Sequence, residues 1–176
     1  MGKLVGSGDN KSIFVLKILL SLVKNPFFII LDNLQDSYNI GSCIRTANSV
    51  GATAVIISGV STCGLNEHVV KSSCGAVKDI PVILVKNIKK VLIVLRCYNI
   101  WLFGAVIDGP TTLYNTCFKR GFALIFGFEG SGLSVVVRRQ CDCLVSIPMF
   151  GNINSLNVAC CTSIFLYEVV RQRFFS

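Results

Sequence analysis

The chain has 176 residues, 52% of them hydrophobic, and 17 Lys+Arg against 9 Asp+Glu. This length fits one domain with a sizeable core, and the formal charge of +8 fits a polyanionic partner, most simply nucleic acid. The longest apolar stretch, "SIFVLKILLSLVKNPFFIILD", is broken by Lys17, Lys24, Asn25 and Pro26, whereas a membrane helix needs about 20 consecutive, mostly apolar residues, so no membrane partner is expected.

The opening dozen residues, "MGKLVGSGDNKS", are polar and glycine-bearing and read as a flexible tail. "FFIILD" (27–32) reads as a buried strand. "NIGSCIRTANSVG" (39–51) reads as a helix with Ile40, Cys43, Ile44, Ala47 and Val50 on one face and Gly51 at its stop. "TAVIIS" (53–58) is a strand, and "LNEHVVKSS" a short helix that carries the single histidine, His68, on its surface. Strand 80–85, helix 87–99 and strand 100–106 follow, then a turn through Asp108-Gly109-Pro110. The last third gives strand 122–127, a helix over about 132–140, strand 143–148 and a terminal helix over about 155–173. Short apolar strands alternating with helices predict an α/β fold, a parallel sheet flanked by helices.

The nine cysteines include no C-x-x-C pair, so metal-finger spacing is absent and no metal is expected. No secretion signal is evident, so a reduced, cytoplasmic setting is expected, with cysteine serving as a small core residue.

Ligands of open parallel sheets bind beyond the carboxyl ends of the strands, and three loops there have unusual chemistry. "LDNLQDSYNIGSCIR" delivers Asp36, Asn39 and Arg45. Asn39 reads either as a helix N-cap or as a site residue, and Arg45 as a surface or a functional arginine. In "GFEGSGLS", Gly127, Gly130 and Gly132 surround Glu129. This is neither a Walker loop nor the dinucleotide fingerprint. It fits phosphate, a small charged cofactor or a tight turn. "IPMFGNINSLNVA" places Ser155, a candidate N-cap, and Asn157 before a helix. Ile147, Pro148, Met149 and Leu156 there offer an apolar wall for a flat heterocycle. The basic stretches "FKRGF" (118–122) and "VVVRRQ" (135–140) are candidate RNA contacts.

Taken together, "NIGSCIRTANSVGA", "GFEGSGLS" and "IPMFGNINSLNVACCTSIFLYEVVRQR" resemble the three ordered motifs of the SpoU (TrmH-like) RNA 2′-O-ribose methyltransferases of the SPOUT superfamily. The resemblance runs from about Leu20 to Arg173. "SLVKNPFFIILDNLQDSYN" and "KSSCGAVKDIPVILVKN" resemble the branch that methylates a guanosine of 23S ribosomal RNA. The family likeness implies S-adenosylmethionine as methyl donor, a SPOUT-type fold with a C-terminal deep trefoil knot, and a homodimer. By position it implies Arg45, Asn39, Glu129, Ser155 and Asn157 as catalytic residues, with Gly127, Ile147, Met149 and Leu156 holding the cofactor. Residues 1–19 are then a tail or linker remnant and 20–176 the catalytic domain. Members of this branch usually carry a further N-terminal RNA-binding domain, so the resemblance implies either a fragment or an enzyme that manages without one. Ala159 stands where relatives often have a serine. The alternatives are a transfer-RNA ribose methyltransferase of the same family, a binding-only module, and a nucleotide-binding α/β domain.

Overall fold

A computed structural model describes residues 4–5, 9–59 and 65–175. Its elements in chain order are β1 (Leu4–Val5), α1 (Asp9–Leu22), β2 (Phe27–Asp32), α2 (Ser37–Ser49), β3 (Ala54–Ser58), α3 (Glu67–Ser72), β4 (Val82–Val85) and α4 (Ile88–Cys97). Then come β5 (Trp101–Ala105), β6 (Thr111–Thr112), β7 (Phe122–Phe126), α5 (Val135–Gln140), β8 (Cys143–Ser146) and α6 (Val158–Phe174). Among the described residues eight strands form one sheet, in the order β1-β4-β3-β2-β7-β5-β8-β6. Every pairing is parallel. The expected α/β architecture is present.

The sheet is buried on both faces, which is why its strands read as unbroken apolar runs. Alternation along β2 sends Phe27, Ile29 and Leu31 to one side and Phe28 and Ile30 to the other. The first side packs on Ile40, Cys43, Ile44 and Ala47 of α2 and on Phe165, Leu166 and Val169 of α6. The second packs on Leu16 and Leu20 of α1, on Val91, Leu92 and Leu95 of α4, and on Val137 of α5.

The stretch expected as a tail, residues 1–19, instead holds most of a helix, α1 over residues 9–22. Ser12 is fully buried and donates to the Leu84 carbonyl at 2.6 Å, while Asp9 accepts from the Lys86 N–H at 2.8 Å. These bonds tie the helix to β4 and to the turn after it. Residues 1–3 and 6–8 of that stretch lie outside the described residues.

The last turn of α6 is fastened to the segment before β7. Gln172 Oε1 accepts from the Phe118 N–H, and its Nε2 donates to the Thr116 carbonyl, both at 2.8 Å. Arg173 donates to the carbonyls of Phe118 (2.9 Å), Arg120 (2.7 Å) and Asn25 (3.1 Å). Its guanidinium also lies 4.8 Å from the Phe27 ring centre and 5.0 Å from that of Phe122, within cation–π range.

Candidate active site

Three loops at the carboxyl ends of β2, β7 and β8 meet around Glu129. Its Oε1 accepts from the Asn39 side-chain amide and from the Asp36 N–H, both at 3.4 Å, and its Oε2 from the Gln35 N–H at 3.5 Å. Asn39 Oδ1 in turn accepts from the Asn157 side-chain amide at 3.0 Å. One side chain from each of the three motifs thus enters a single hydrogen-bonded chain.

Each of these residues is placed by a local device. Asp36, not Asn39, caps α2, accepting from the Tyr38 N–H at 2.9 Å. Asn39 therefore sits inside the first helical turn with its amide free for Glu129. Asn157, not Ser155, caps α6, with Oδ1 accepting from the Ala159 N–H at 2.8 Å and the Cys160 N–H at 3.4 Å. The cap leaves Asn157 Nδ2 for Asn39, so one amide holds the helix end and the site together.

The glycines around Glu129 make a tight turn. A Cβ on Gly127 would lie 2.3 Å from the Gly132 carbonyl carbon, which is backbone and cannot swing aside. Gly132 has φ +67° and donates its N–H to the Phe128 carbonyl at 2.8 Å. The turn points Glu129 back towards α2.

Arg45 lies apart from this chain. It is exposed on α2 and its Nη1 is 3.2 Å from the thiol of Cys74. Cys74 adopts φ +49°, a left-handed conformation uncommon outside glycine. Ser155 is exposed in the loop before α6. In the same region Met149, Phe150, Ile153 and Leu156 all face solvent, Phe150 with 97% of its surface exposed, while Ile147 is half-buried against the core. The apolar wall expected for a heterocycle is thus open.

α2 and α6 are bonded side by side behind the site. Thr46 and Ser163 hydroxyls lie 3.2 Å apart, and the Cys43 thiol meets the Thr162 hydroxyl at 3.4 Å. Burial pushes the Cys43 thiol up to about 12, so it is an inert core residue. Of the basic stretches, Arg138 pairs with Asp108 at 3.0 Å, whereas Lys119, Arg120 and Arg139 are exposed. His68 is exposed on α3 with its ring centre 5.8 Å from that of Tyr38. No group of three His, Cys, Asp or Glu side chains is placed to hold a metal, and no helix is long and apolar enough to cross a membrane, among the described residues.

The strand pattern places Asp32 only at the end of β2, yet the residue is 3% exposed and lies at the site's edge. Cys74 went unnoticed as the neighbour of Arg45. The sequence signal for both lay inside motifs already singled out: the "LDN" before the first helix and the "SSCGA" turn.

The SpoU rRNA Methylase family profile matches residues 26–167. The chain is 41% identical over 155 residues to the 23S rRNA (guanosine-2′-O-)-methyltransferase RlmB of Photorhabdus laumondii, covering 88% of this chain and 64% of that protein. It is 40% identical over 158 residues to the protein of the same name from Yersinia pestis, with 90% and 64% covered. The chain therefore spans less than two thirds of the length of these curated relatives. Among solved structures it resembles the SpoU methyltransferase AviRb from Streptomyces viridochromogenes in complex with the cofactor AdoMet, with TM-score 0.82, 31% identity, and 88% of this chain and 60% of that one covered. With the profile spanning most of the sheet and all three loops around Glu129, the chain belongs to the SpoU rRNA methylase family.

Proposed function

We propose that this chain methylates the 2′-hydroxyl of a ribose in RNA, that of a guanosine in 23S ribosomal RNA, with S-adenosylmethionine as donor. The observation that carries this reading is the Asn39–Glu129–Asn157 chain, which joins the three family motifs at one point beyond the strand ends. The names of the curated relatives support the reaction and the ribosomal substrate.

The residues present fit the donor. Ile147, Met149 and Leu156 provide an open apolar flank for an adenine ring, beside the exposed backbone of the loop before α6. Gly127 keeps the neighbouring backbone free of side chain. S-adenosylmethionine, when bound, supplies an electrophilic sulfonium methyl group.

The chain's own contribution is placement. A ribose hydroxyl is a weak nucleophile at neutral pH, so orienting its oxygen is where the catalytic advantage arises. Glu129 and Asn39 offer the acceptor and donor that hold the hydroxyls of a ribose, and Ser155 adds an exposed hydroxyl. Arg45 is six residues beyond Asn39, about 9 Å along the helix axis, a separation on the scale of one nucleotide. A guanidinium is a poor base but a strong partner for phosphate. We therefore assign Arg45 to the adjoining phosphate and to developing negative charge on the oxygen.

A C-terminal trefoil knot is part of the same reading. It is supported by the bonding of Gln172 and Arg173 at the end of α6 to residues 116–120, which fastens the last helix against an earlier loop. A homodimer is likewise proposed, supported by the exposed apolar residues Phe150, Ile153, Ile164 and Tyr167 on α6 and the loop before it. A cytoplasmic location is proposed with it, in keeping with a ribosomal substrate.

The test is incubation with methyl-labelled donor and, separately, unmodified 23S ribosomal RNA and transfer RNA, followed by mapping of the label. Label at one guanosine of ribosomal RNA is expected. Label only in transfer RNA would overturn the substrate, and donor binding without label in either would favour a binding-only module.

A further inference from the structure

At the carboxyl end of β2 lies a charged group that the proposed reaction does not use. Asp32 is 3% exposed. Its Oδ1 accepts from the Ser58 hydroxyl and, at 3.1 Å, from the Asn33 side-chain amide. Its Oδ2 accepts no hydrogen bond from any described residue, and no described cation pairs with it. No buried side-chain N or O atom among the described residues lacks a partner, so this oxygen is reached from the space beside it and can accept from a ligand there.

That carboxylate lines a cavity of about 300 Å³ together with Gln35, Phe128 and Ser131. The volume is at the lower end of ligand sites and suits one flat ring system rather than a whole cofactor. The cavity is built from the same two loops that carry the candidate active site. Gln35 gives its N–H to Glu129, and Phe128 precedes Glu129 in the chain. A nucleoside whose ribose meets Glu129 and Asn39 has its base within reach of this cavity.

The donor pattern selects the base. An ionised carboxylate only accepts hydrogen bonds. Guanine alone among the four RNA bases presents two adjacent donors on its pairing edge, a ring N–H and the 2-amino group. The amino groups of adenine and cytosine stand next to a ring nitrogen acceptor, which a carboxylate repels, and the ring N–H of uracil stands between two carbonyls. The exposed Gln35 amide has no side-chain partner among the described residues and can donate to the 6-carbonyl of guanine. The Phe128 ring supplies an apolar surface in the same cavity. Enzymes that act on single nucleotides read bases in this way, by pairing-edge hydrogen bonds and ring contact.

We propose that this cavity receives the guanine base of the target nucleotide and that Asp32 selects it through the ring N–H and 2-amino edge. The proposal rests on the methyltransferase reading and names the specificity of that site.

The test uses a ribosomal RNA fragment with guanosine or inosine at the methylated position, since inosine lacks only the 2-amino group. The wild-type chain should lose about tenfold or more in kcat/KM on inosine. Asp32→Asn should lose rate on guanosine and bring the guanosine-to-inosine ratio to within about threefold, because a neutral amide no longer demands two donors. Gln35→Leu, at an exposed position whose side chain bonds nothing, should lower kcat/KM on guanosine by about fivefold with an unchanged melting temperature. This variant covers the case in which Asp32→Asn fails to fold. Equal wild-type rates on the two RNAs, or an unchanged ratio in folded Asp32→Asn, would overturn the proposal. A second arm measures binding of free guanosine and inosine monophosphates by ligand-observed NMR. Discrimination there without discrimination on RNA would assign the cavity to a free nucleotide and overturn the target-base role. Transfer to neither RNA would contradict the parent reading instead, and the nucleotide arm would then read the cavity alone: equal binding of the two monophosphates, or none, overturns its preference for guanine.

Discussion

Replacing Glu129 by Gln separates placement of substrate from folding. The carboxylate takes three hydrogen bonds, at 3.4, 3.4 and 3.5 Å, from Asp36, Asn39 and Gln35. All are long and the side chain is exposed, so each lies near the bottom of the usual range of about 0.5–1.5 kcal/mol. Gln keeps one carbonyl oxygen, which can accept from Asp36 and Asn39 as Oε1 does, and gives up the bond from Gln35. The net loss should be about 1 kcal/mol or less, which in a chain of this size lowers Tm by roughly 2–4 °C. Turnover should suffer far more, because the charged acceptor that fixes the ribose hydroxyl is gone, and a fall of about 100-fold in kcat is expected. Differential scanning fluorimetry reads the first quantity, and single-turnover transfer of labelled methyl to RNA the second. Turnover within about fivefold of wild type would refute the role given to Glu129. So would a fall in Tm well beyond about 4 °C accompanied by loss of activity, since the residue would then act as a structural bridge.

Arg45→Ala should lower kcat at least tenfold and weaken the salt dependence of RNA binding by about one phosphate contact, with donor binding by calorimetry unchanged. Asn157→Ala removes the cap of α6 and should cost about 1 kcal/mol by chemical denaturation, whereas Ser155→Ala should lose turnover with no change in stability. At the far end of α6, hydrogen bonding from Arg171, aided by Gln172 and opposed by burial, holds the Glu168 carboxyl below its ordinary value of 4.5. A lowered folded value stabilises above the unfolded pKa and is lost as pH falls through the folded one. Glu168→Gln should therefore melt below wild type at pH 7, and the gap should shrink as the pH drops below about 4.5.

Much of the sheet was legible because its strands are buried on both faces. "FFIILD" spans the observed β2, and helix α2 followed from the spacing of Ile40, Cys43, Ile44 and Ala47. Helix α1 was not legible. Its apolar residues run around the whole helix, interrupted by Lys11 and Lys17, and Phe14 and Leu22 are exposed. It is held by contacts to β4 and the turn beyond it, more than seventy residues away, which no local pattern reveals. The two-residue strands β1 and β6 carry no periodicity to detect. Helix starts shifted for a physical reason: Asp36 and Asn157 won the capping positions over Asn39 and Ser155, since their side chains reach the free N–H groups. That shift made the site, because it left the Asn39 amide for Glu129. Asp32 stayed hidden because its burial depends on Ser58 of the adjacent strand and not on its own neighbours in sequence.

The most direct test of the account replaces one atom of the substrate. A 23S ribosomal RNA fragment is prepared with a 2′-deoxyguanosine at the position that receives label, every other nucleotide unchanged. Transfer of the labelled methyl from S-adenosylmethionine should vanish on this RNA and persist on its all-ribose twin, where the label should also make the following phosphodiester bond resistant to alkali. Continued labelling of the deoxy-substituted fragment at that nucleotide would place the methyl on the base and contradict the account.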